Sequence, residues 1–283
     1  MRSTGGKIRL GLFGAVLVWA AWFEEAAPFQ AASLPGPAAL VRQTEGVVRG
    51  FLVLRTMDGK IVADGDSLQT SSGREVRNDM IYHFRDGSLQ EEISVFTQSG
   101  RFKVVSDHLI QKGPAFKHPL DMAIDGATGM VTVHYWEENG KEKTETARLK
   151  LPPDLANGIV PVVLKNLAAG TESATASMVV ASPKPLLVKL VISKDGEDSF
   201  STGEATHQAI RYRIKIDIGG IRGVLAPLVG KQPADTLVWM LGGPSPCFLR
   251  SDGPSAADGP LWRTELASPV WARDTLQLET RRR

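Results

Sequence analysis

From residue 45 to residue 150, short stretches of alternating hydrophobic and polar residues are separated by dipeptides that end in glycine. These dipeptides are Asp58-Gly59, Ser72-Gly73, Asp86-Gly87, Ser99-Gly100, Thr128-Gly129 and Asn139-Gly140. Glycine accepts the positive φ of tight hairpin turns, and a period of two places hydrophobic side chains on one face of a strand. In residues 130–136, for example, Val131, Val133 and Tyr135 share a face. The pattern therefore predicts consecutive antiparallel hairpins.

The same alternation returns in the second half of the chain. We expect strands near residues 174–181, 185–194, 206–218, 235–242, 246–251 and 261–267. So many consecutive strands have to curl, close or split into two packed sheets, and the lack of alternating helices excludes a βαβ sheet. We therefore predict a mainly β protein, in which a long antiparallel meander forms a curved sheet, a half-barrel or two packed sheets.

One amphipathic helix is predicted to interrupt the strands, over about residues 153–168. The sequence Leu151-Pro152-Pro153-Asp154 ends a strand and begins the helix, because proline suits the first turn and aspartate the positive end of the helix dipole. Leu155, Ile159, Val163 and Leu167 then recur at a spacing of four and form one apolar stripe. The Asn157-Gly158 pair and Pro161 weaken the middle of this helix and predict a kink or a break.

The first residues have the layout of an export signal. Residues 1–9 contain Arg2, Lys7 and Arg9 without an acidic residue, and residues 10–23 contain no charge. A basic start followed by a short apolar run is typical of a secretory signal peptide. As a helix this run rises roughly 21 Å, which is short of the ~30 Å hydrocarbon core of a membrane. We expect a periplasmic or secreted protein whose residues 1–33 are a signal peptide cleaved after Ser33, with an uncleaved N-terminal membrane anchor as the alternative.

The domain organisation follows from these segments. Residues 34–44, which include Leu34-Pro35-Gly36-Pro37, are predicted to be a linker, residues 45–271 a single antiparallel β domain, and residues 272–283 a flexible tail. No later stretch reaches the ~18 apolar residues of a transmembrane helix, so we expect no further membrane span.

Composition excludes several classes of function. The 283 residues include 33 Lys and Arg against 31 Asp and Glu, and this balance argues against a nucleic-acid-binding protein. Cys247 is the only cysteine, which excludes an intramolecular disulfide, a cysteine-based metal site and an N-terminal lipid anchor. Because the sequence contains no nucleotide-binding or metal-binding motif, we predict neither a cofactor nor a bound metal.

One short motif, Gly65-Asp66-Ser67-Leu68, resembles the active-site block of the GDSL family of serine esterases. The resemblance implies that Ser67 is a nucleophile, which needs a histidine oriented by a carboxylate. The family has an α/β fold and a late Asp-x-x-His block. Here the last histidine is His207, and Glu204 precedes it at that spacing. We therefore interpret the motif as a polar turn or an exposed strand.

A second group of polar residues, His108, His118 and Asp121, is the candidate for a hydrolytic site. Imidazoles and carboxylates can bind a metal or act as general acid and base. Strand alternation places Asp107 and His108 on opposite faces, and no HxH or HxxxH spacing occurs. The alternative interpretation is a polar loop with surface histidines.

Two further sets of residues have a structural interpretation beside a functional one. The aromatic residues Trp239, Phe248, Trp262 and Trp271 form either part of the sheet core or the wall of a ligand site. The residues Arg211, Arg213 and Lys215 make a basic row on one strand face. We expect this row to be a solvated outer face, with binding of an anionic head group as the alternative.

In its layout, the chain resembles uncharacterised secreted β-rich proteins of Gram-negative bacteria, whose curved sheets are similar to the half-barrel of periplasmic lipoprotein carriers. The resemblance covers residues 45–270 and rests on the strand spacing, the helix start at Leu151-Pro152-Pro153-Asp154 and the ending from Trp262 to Trp271. It implies a concave face for apolar ligands and a lid helix, with Leu155, Ile159, Val163 and Leu167 as candidate lid residues.

Three functions follow from these observations. We expect a non-enzymatic protein that binds an apolar small molecule or a lipid-like ligand in a curved β-sheet. The alternative is a secreted hydrolase that uses His108, His118 and Asp121, with or without a metal. The third is an envelope scaffold whose protein partner the sequence does not identify.

Overall fold

The computed structural model describes residues 36–37, 40–137, 140–182, 184–217, 233–256, 259–267 and 270–271. Residues Pro35–Arg283 form one compact unit. The expected signal peptide (1–33) and tail (272–283) lie outside the described residues. Within the described part of the chain, no helix has the length and hydrophobicity needed to cross a lipid bilayer.

The described residues are nearly all in strands. The elements are β1 (Gly36–Pro37), β2 (Val48–Thr56), β3 (Ile61–Ser72), β4 (Glu75–Phe84), β5 (Leu89–Ser99), β6 (Arg101–Lys112), β7 (Leu120–Asp125), β8 (Met130–Trp136), β9 (Glu142–Arg148), α1 (Val160–Lys165), β10 (Ser173–Ser182), β11 (Lys184–Thr202), β12 (Ala205–Asp217), β13 (Thr236–Leu241), β14 (Phe248–Pro254), β15 (Leu261–Leu266) and β16 (Val270–Trp271). The prediction of a mainly β protein is confirmed.

One sheet contains all of these strands, in the order β1-β10-β11-β12-β13-β14-β15-β2-β3-β4-β5-β6-β7-β8-β9, with β16 beside β11. Apart from the parallel pair β1–β10, strands that are neighbours in this order pair antiparallel, and β15 pairs with β2 to join the two halves. Strand β11 also lies beside β8 and β9 from the opposite end of the order. Among the described strands, β1 and β9 do not pair with each other. The antiparallel meander is therefore confirmed as one curled sheet that is not closed.

The hairpin turns form at the predicted positions. The glycines of all six dipeptides have positive φ, between 61° at Gly73 and 92° at Gly59. Strand β11 is longer than the expected 185–194, because a register shift between Lys194 and Gly196 lets pairing with β12 continue to Thr202. The sequence pattern did not predict this continuation, because the residues at the bulge are mostly charged and interrupt the alternation.

The helix is shorter than the expected range of 153–168. Only Val160–Lys165 is helical, with a proline in its first turn. Asn157 instead bonds to strand β10, since its Nδ2 donates to the Val179 carbonyl at 2.9 Å and its Oδ1 accepts from the Val179 N–H at 2.8 Å. Gly158 follows with φ of 64°. The break predicted at Asn157-Gly158 is therefore confirmed, and the prediction of a helix before it was wrong.

The segment 155–167, named the central segment here, lies in the largest of three hydrophobic clusters, which we call the main core. Leu155, Ile159 and Val163 are 4%, 1% and 1% exposed, and Leu167 packs partly buried against the same cluster. Buried residues from β4 to β8 and from β10 to β13 complete this cluster. The central segment therefore fills part of the inside of the curled sheet.

Two smaller apolar clusters lie in the same sheet. The second cluster consists of Leu52, Leu54, Ala63, Tyr82, Phe84, Phe116 and Trp262; the third consists of Phe200, Ala209, Trp239 and Leu249. Phe248 packs partly buried against the first and second clusters. The core interpretation of these aromatic residues is thus confirmed for Trp239, which belongs to the third cluster, and for Trp262 and Phe248, which both pack in the second. The side chain of Trp271 lies outside the description.

The predicted basic row is not a free basic surface. Arg211 bonds to Asp195 at 2.8 Å and to Asp198 at 2.6 Å. Arg213 bonds to the same Asp195 at 2.8 Å and to Asp235 at 3.1 Å. The β11 bulge and the start of β13 bring these acids across the strands, which alternation within residues 206–218 did not reveal. The charges of the two arginines are therefore balanced within the sheet.

Candidate functional site

A row of half-buried residues crosses the inner face of strands β3 to β6. Ser67 pairs with Met80, Met80 with Glu92, Glu92 with Leu109, and Leu109 with Met122. Met122 is a buried member of the main core, and directly paired residues share one face of a sheet. The other four residues are therefore also on the inner face, yet each retains part of its surface accessible.

The next row on the same face contains a buried acid. Ser94 pairs with Asp107, and the two residues are 0% and 1% exposed. The hydroxyl of Ser94 donates a hydrogen bond of 2.7 Å to Oδ1 of Asp107. The other oxygen, Oδ2, is buried and has no hydrogen-bond partner among the residues that the structure describes.

Glu92 and Asp107 form an interacting pair of carboxyl groups. Burial, and to a smaller extent the charge of Asp107, raise the pKa of Glu92 from 4.5 to about 8. Burial also raises the pKa of Asp107 to about 6, against the Ser94 hydrogen bond and the charge of His108 on the opposite strand face. Removing a carboxylate from water disfavours its charged form, and a second carboxylate nearby adds to that effect.

Glu92 is thus desolvated and yet partly accessible. Its two cross-strand neighbours are apolar and belong to different walls, since Met80 packs against the second cluster and Leu109 against the main core. Glu92 therefore lies between two apolar surfaces.

Tyr82 is a further titratable residue on the inner face, in strand β4. Burial raises the pKa of Tyr82, a hydrogen bond with Thr264 lowers it, and the charge of Glu92 raises it. Tyr82 is therefore a neutral hydroxyl at physiological pH. Its ring covers Gly65, where a Cβ atom would lie 2.6 Å from two ring carbons. The glycine of the GDSL-like motif is thus needed for packing.

The central segment packs against Ser94 and Asp107 through Gly158. A Cβ atom at this position would lie 1.6 Å from Oγ of Ser94 and 2.6 Å from Oδ1 of Asp107. Asn78, in the same inner row, donates from Nδ2 to the Gly158 carbonyl at 3.4 Å. The turn at Gly158 is therefore seated on the polar residues of strands β4, β5 and β6.

A second polar cluster lies farther along the inner face, around Glu45. Lys165 donates to Oε2 of Glu45 at 2.5 Å, and Gln69 donates to the same oxygen at 2.9 Å. Gln98 accepts from the Glu45 N–H at 2.6 Å and donates to its carbonyl at 3.0 Å. Here the carboxylate has a cation beside it, in contrast to Glu92 and Asp107.

Part of the expected linker, 34–44, is attached to the central segment. The backbone N–H groups of Arg42 and Gln43 donate to Oδ1 of Asn166 at 2.8 and 2.7 Å. Nδ2 of Asn166 donates to the Val162 carbonyl at 2.9 Å. The Asn166 side chain thus connects the residues before β2 to the helix α1 by hydrogen bonds.

Two residues of the hydrolase alternative, His108 and Asp121, lie on the outer face. Nε2 of His108 is 2.8 Å from Oδ1 of Asp121, with the side chains 42% and 36% exposed. His118 is an exposed residue between β6 and β7. Among the described residues, no group of three or more His, Cys, Asp or Glu is arranged to hold a metal ion. The structure therefore brings His108 and Asp121 together on an exposed surface.

The GDSL-like motif lies within strand β3, as the strand interpretation predicts. Ser67 is on the inner face opposite Met80, whereas Asp66 is on the outer face at 3.4 Å from Arg49. The serine and the aspartate of the motif thus belong to opposite faces.

A separate open cleft of about 510 Å³ is lined by the β5–β6 hairpin, Gly126 and residues from the loop 151–155. Its cationic residues, Arg101 and Lys103, are exposed to solvent. Water already solvates these charges, so they do not require a ligand.

Sequence reasoning did not identify Glu92. The available signal was the alternation in residues 89–99, which places Glu92, Ser94 and Phe96 on one face. Two polar residues in register with a fully buried phenylalanine indicate polar groups on the inner face.

Comparisons with known proteins give limited information. No family model matches the chain, and no curated protein matches it significantly. One similar solved structure is the crystal structure of a beta-barrel-like protein of domain of unknown function DUF1849 from Brucella abortus. The match covers 80% of this chain and 98% of that chain, with 8% identity and a TM-score of 0.45. The resemblance to lipoprotein carriers is not shown by these comparisons and stays a prediction.

Proposed function

We propose that the protein is a non-enzymatic binding protein that holds a small apolar or lipid-like molecule inside the curled sheet. The observation that carries the proposal is the half-buried inner row of Ser67, Met80, Glu92 and Leu109. Fully packed interiors leave few gaps larger than a water molecule. Accessible inner-face residues between two apolar clusters therefore support a ligand site.

The central segment forms a fixed wall of this site in our proposal, rather than a lid. Leu155, Ile159 and Val163 are buried in the main core, and Asn157 bonds to both backbone groups of Val179. Opening such a segment would expose these apolar side chains to water, at about 1.5–3 kcal/mol for each large one.

The hydrolase alternative has weaker support. The His108–Asp121 pair is exposed on the outer face, where water screens the charges that a catalytic pair would use. The inner row, by contrast, lies between two apolar clusters. We therefore retain the binding function as the conclusion.

Export is part of the proposal. Residues 1–33 have the basic start and short apolar run of a signal peptide, and we propose cleavage after Ser33 and a periplasmic or secreted location. N-terminal sequencing of the protein purified from cell fractions tests this: an exported chain beginning at Leu34 supports it, and an intact chain in the cytoplasm contradicts it.

Calorimetric titration with decanol, an uncharged apolar probe, tests the binding function. Ser67→Phe adds a large side chain to the proposed site on the inner face, and we expect it to weaken decanol binding at least tenfold. Thr70→Phe is the matched control, because Thr70 is exposed on the outer face of the same strand. The proposal is overturned if decanol does not bind the native protein. It is also overturned if the Ser67→Phe variant binds decanol as tightly as the unmodified chain does.

A further inference from the structure

The outer face of strands β2 to β6 is crossed by a stripe of apolar side chains, one from each strand. Its members, named the outer apolar stripe, are Phe51, Leu68, Ile81, Ile93 and Ile110. Phe51 pairs directly with Asp66 of the outer face, and each later member is diagonal to the one before it across the strand pair. Phe51 is 61% exposed, and the other four residues are half-buried. The stripe is therefore continuous and partly open to water.

Packing within the described chain does not account for the outer apolar stripe. Within the residues that the structure describes, none of its five members belongs to, or packs against, any of the three hydrophobic clusters. An antiparallel sheet with one face in water normally presents polar residues on that face. Connected exposed apolar residues on a protein surface mark an interaction site. The stripe therefore indicates a surface that another molecule covers.

The charged groups around the stripe determine the charge of that molecule. The two cross-strand rows that contain the stripe have four carboxylates and one arginine, at Asp66, Asp79, Glu91, Asp121 and Arg49. Arg77 adds a second positive charge, through its ion pair with Asp79 at 2.8 Å. Glu91 has no ion pair among the described residues. With His108 counted as neutral, this face is negative, so it favours a cationic partner.

Three of these acids are evenly spaced along one row. Asp66, Glu91 and Asp121 lie on alternate strands, with an apolar member of the stripe between each pair. Because neighbouring strands are about 4.8 Å apart, successive acids are roughly 9.6 Å apart. An extended or polyproline-II chain advances about 3.1–3.4 Å per residue, so every third residue covers a similar distance. The sheet is curled with this face outward, and a flexible extended chain follows such a surface better than a straight helix does.

We propose that the outer apolar stripe binds an extended segment of a partner protein that has Lys or Arg at every third position and apolar residues between them. The cations of this segment face Asp66, Glu91 and Asp121, and its apolar residues cover the stripe. Water solvates exposed acids, so the acids select the segment by its charge, and the apolar contact drives binding. A second copy of this chain would bring two negative faces together, which opposes self-association.

The probe is a blocked nonapeptide of three Lys-Leu-Pro repeats, titrated into the native protein by calorimetry at low ionic strength. We expect it to bind at least tenfold more tightly than the matching Glu-Leu-Pro peptide, and at least threefold more tightly than a peptide of the same composition with its lysines adjacent. Glu91→Gln should weaken binding of the lysine peptide at least threefold. Glu75→Gln is the matched control, because it removes the same charge from an exposed outer-face position beyond the two rows, and it should bind as the native protein does.

Phe51→Ser tests the apolar contact separately from the charge. It removes the most exposed member of the stripe and should weaken binding of the lysine peptide at least threefold, whereas Leu261→Ser, at a 45% exposed position on β15, should not. Equal affinity for the lysine peptide and either comparison peptide, or equal binding by the native protein and Phe51→Ser, overturns the proposal. A native dimer that Phe51→Ser dissociates, seen by sedimentation, also overturns it. These outcomes do not depend on decanol binding to the inner face, so the proposed function is tested independently.

Discussion

Ser94 donates a 2.7 Å hydrogen bond to Asp107 across the β5–β6 pair, and these two side chains form the surface on which the turn at Gly158 rests. Oδ1 of Asp107 therefore faces the central segment. Oδ2 of Asp107 has no hydrogen-bond partner among the described residues. Asp107 is therefore part of the packed interior, in the row next to the proposed site.

Gly158→Ala should destabilise the protein severely. The residue has φ of 64°, which costs an L-residue about 1–2 kcal/mol, and its new Cβ would overlap the Ser94 hydroxyl. Overpacking of this kind adds about 1–3 kcal/mol, so urea unfolding should show a loss of roughly 3 kcal/mol or more. Gly73→Ala is the control, with φ of 61° and no atom within 4 Å of the new Cβ. Equal losses in the two variants would contradict the contact.

Glu92→Gln should change how stability depends on pH. The folded pKa of Glu92 lies above its ordinary value of 4.5, at about 8, so the folded state holds the proton more tightly. Its contribution to stability is therefore full below pH 4.5 and is lost as the pH rises toward 8. Relative to the native chain, the variant should gain on the order of 3 kcal/mol between pH 4.5 and pH 8. Urea unfolding at several pH values measures this, and parallel pH profiles for the two proteins would refute it.

Asp252→Asn should have the opposite pH dependence. Burial opposes the charged form of Asp252, but hydrogen bonds from Arg250 and Arg263 hold its pKa below the ordinary value. Both arginines bind the carboxylate with two N–H groups each, at 2.8–3.0 Å. The contribution is therefore present above pH 3.8 and is lost as the pH falls. We expect a loss of about 3 kcal/mol at pH 7, measured by urea unfolding. A loss that persisted unchanged at pH 2.5 would argue against this assignment.

Asn166→Ala should release the chain before β2. The N–H groups of Arg42 and Gln43 lose their acceptor, so their hydrogen exchange should become at least tenfold faster, with a loss of about 2 kcal/mol in stability. Asn166→Asp keeps the acceptor oxygen and should protect both amides. Unchanged exchange in the alanine variant would show that the segment is held by other contacts.

The fold was predictable from the sequence where a local rule determines it. The turn glycines have positive φ because the hairpins require it, and Val131 and Val133 share a buried face because the strand period is two. The break at Asn157-Gly158 was also predictable. The partner of Asn157 was not, because a bond to Val179 depends on where β10 lies in space.

The site was less predictable, because a bulge decides which residues of β6 face inward. Strict alternation from Phe102 and Val104 would place His108 inside and Asp107 outside. A register shift between Val95 and Phe96 on the partner strand changes this phase, so Asp107 is buried and His108 faces out. Alternation alone correctly separates the two residues but does not assign their faces.

The most direct test of the binding site is a crystal structure of the protein grown with decanol. The account predicts electron density for the alkyl chain on the inner face, in contact with Met80 and Leu109. An inner face filled by protein side chains, with no ligand beside Glu92, would contradict it.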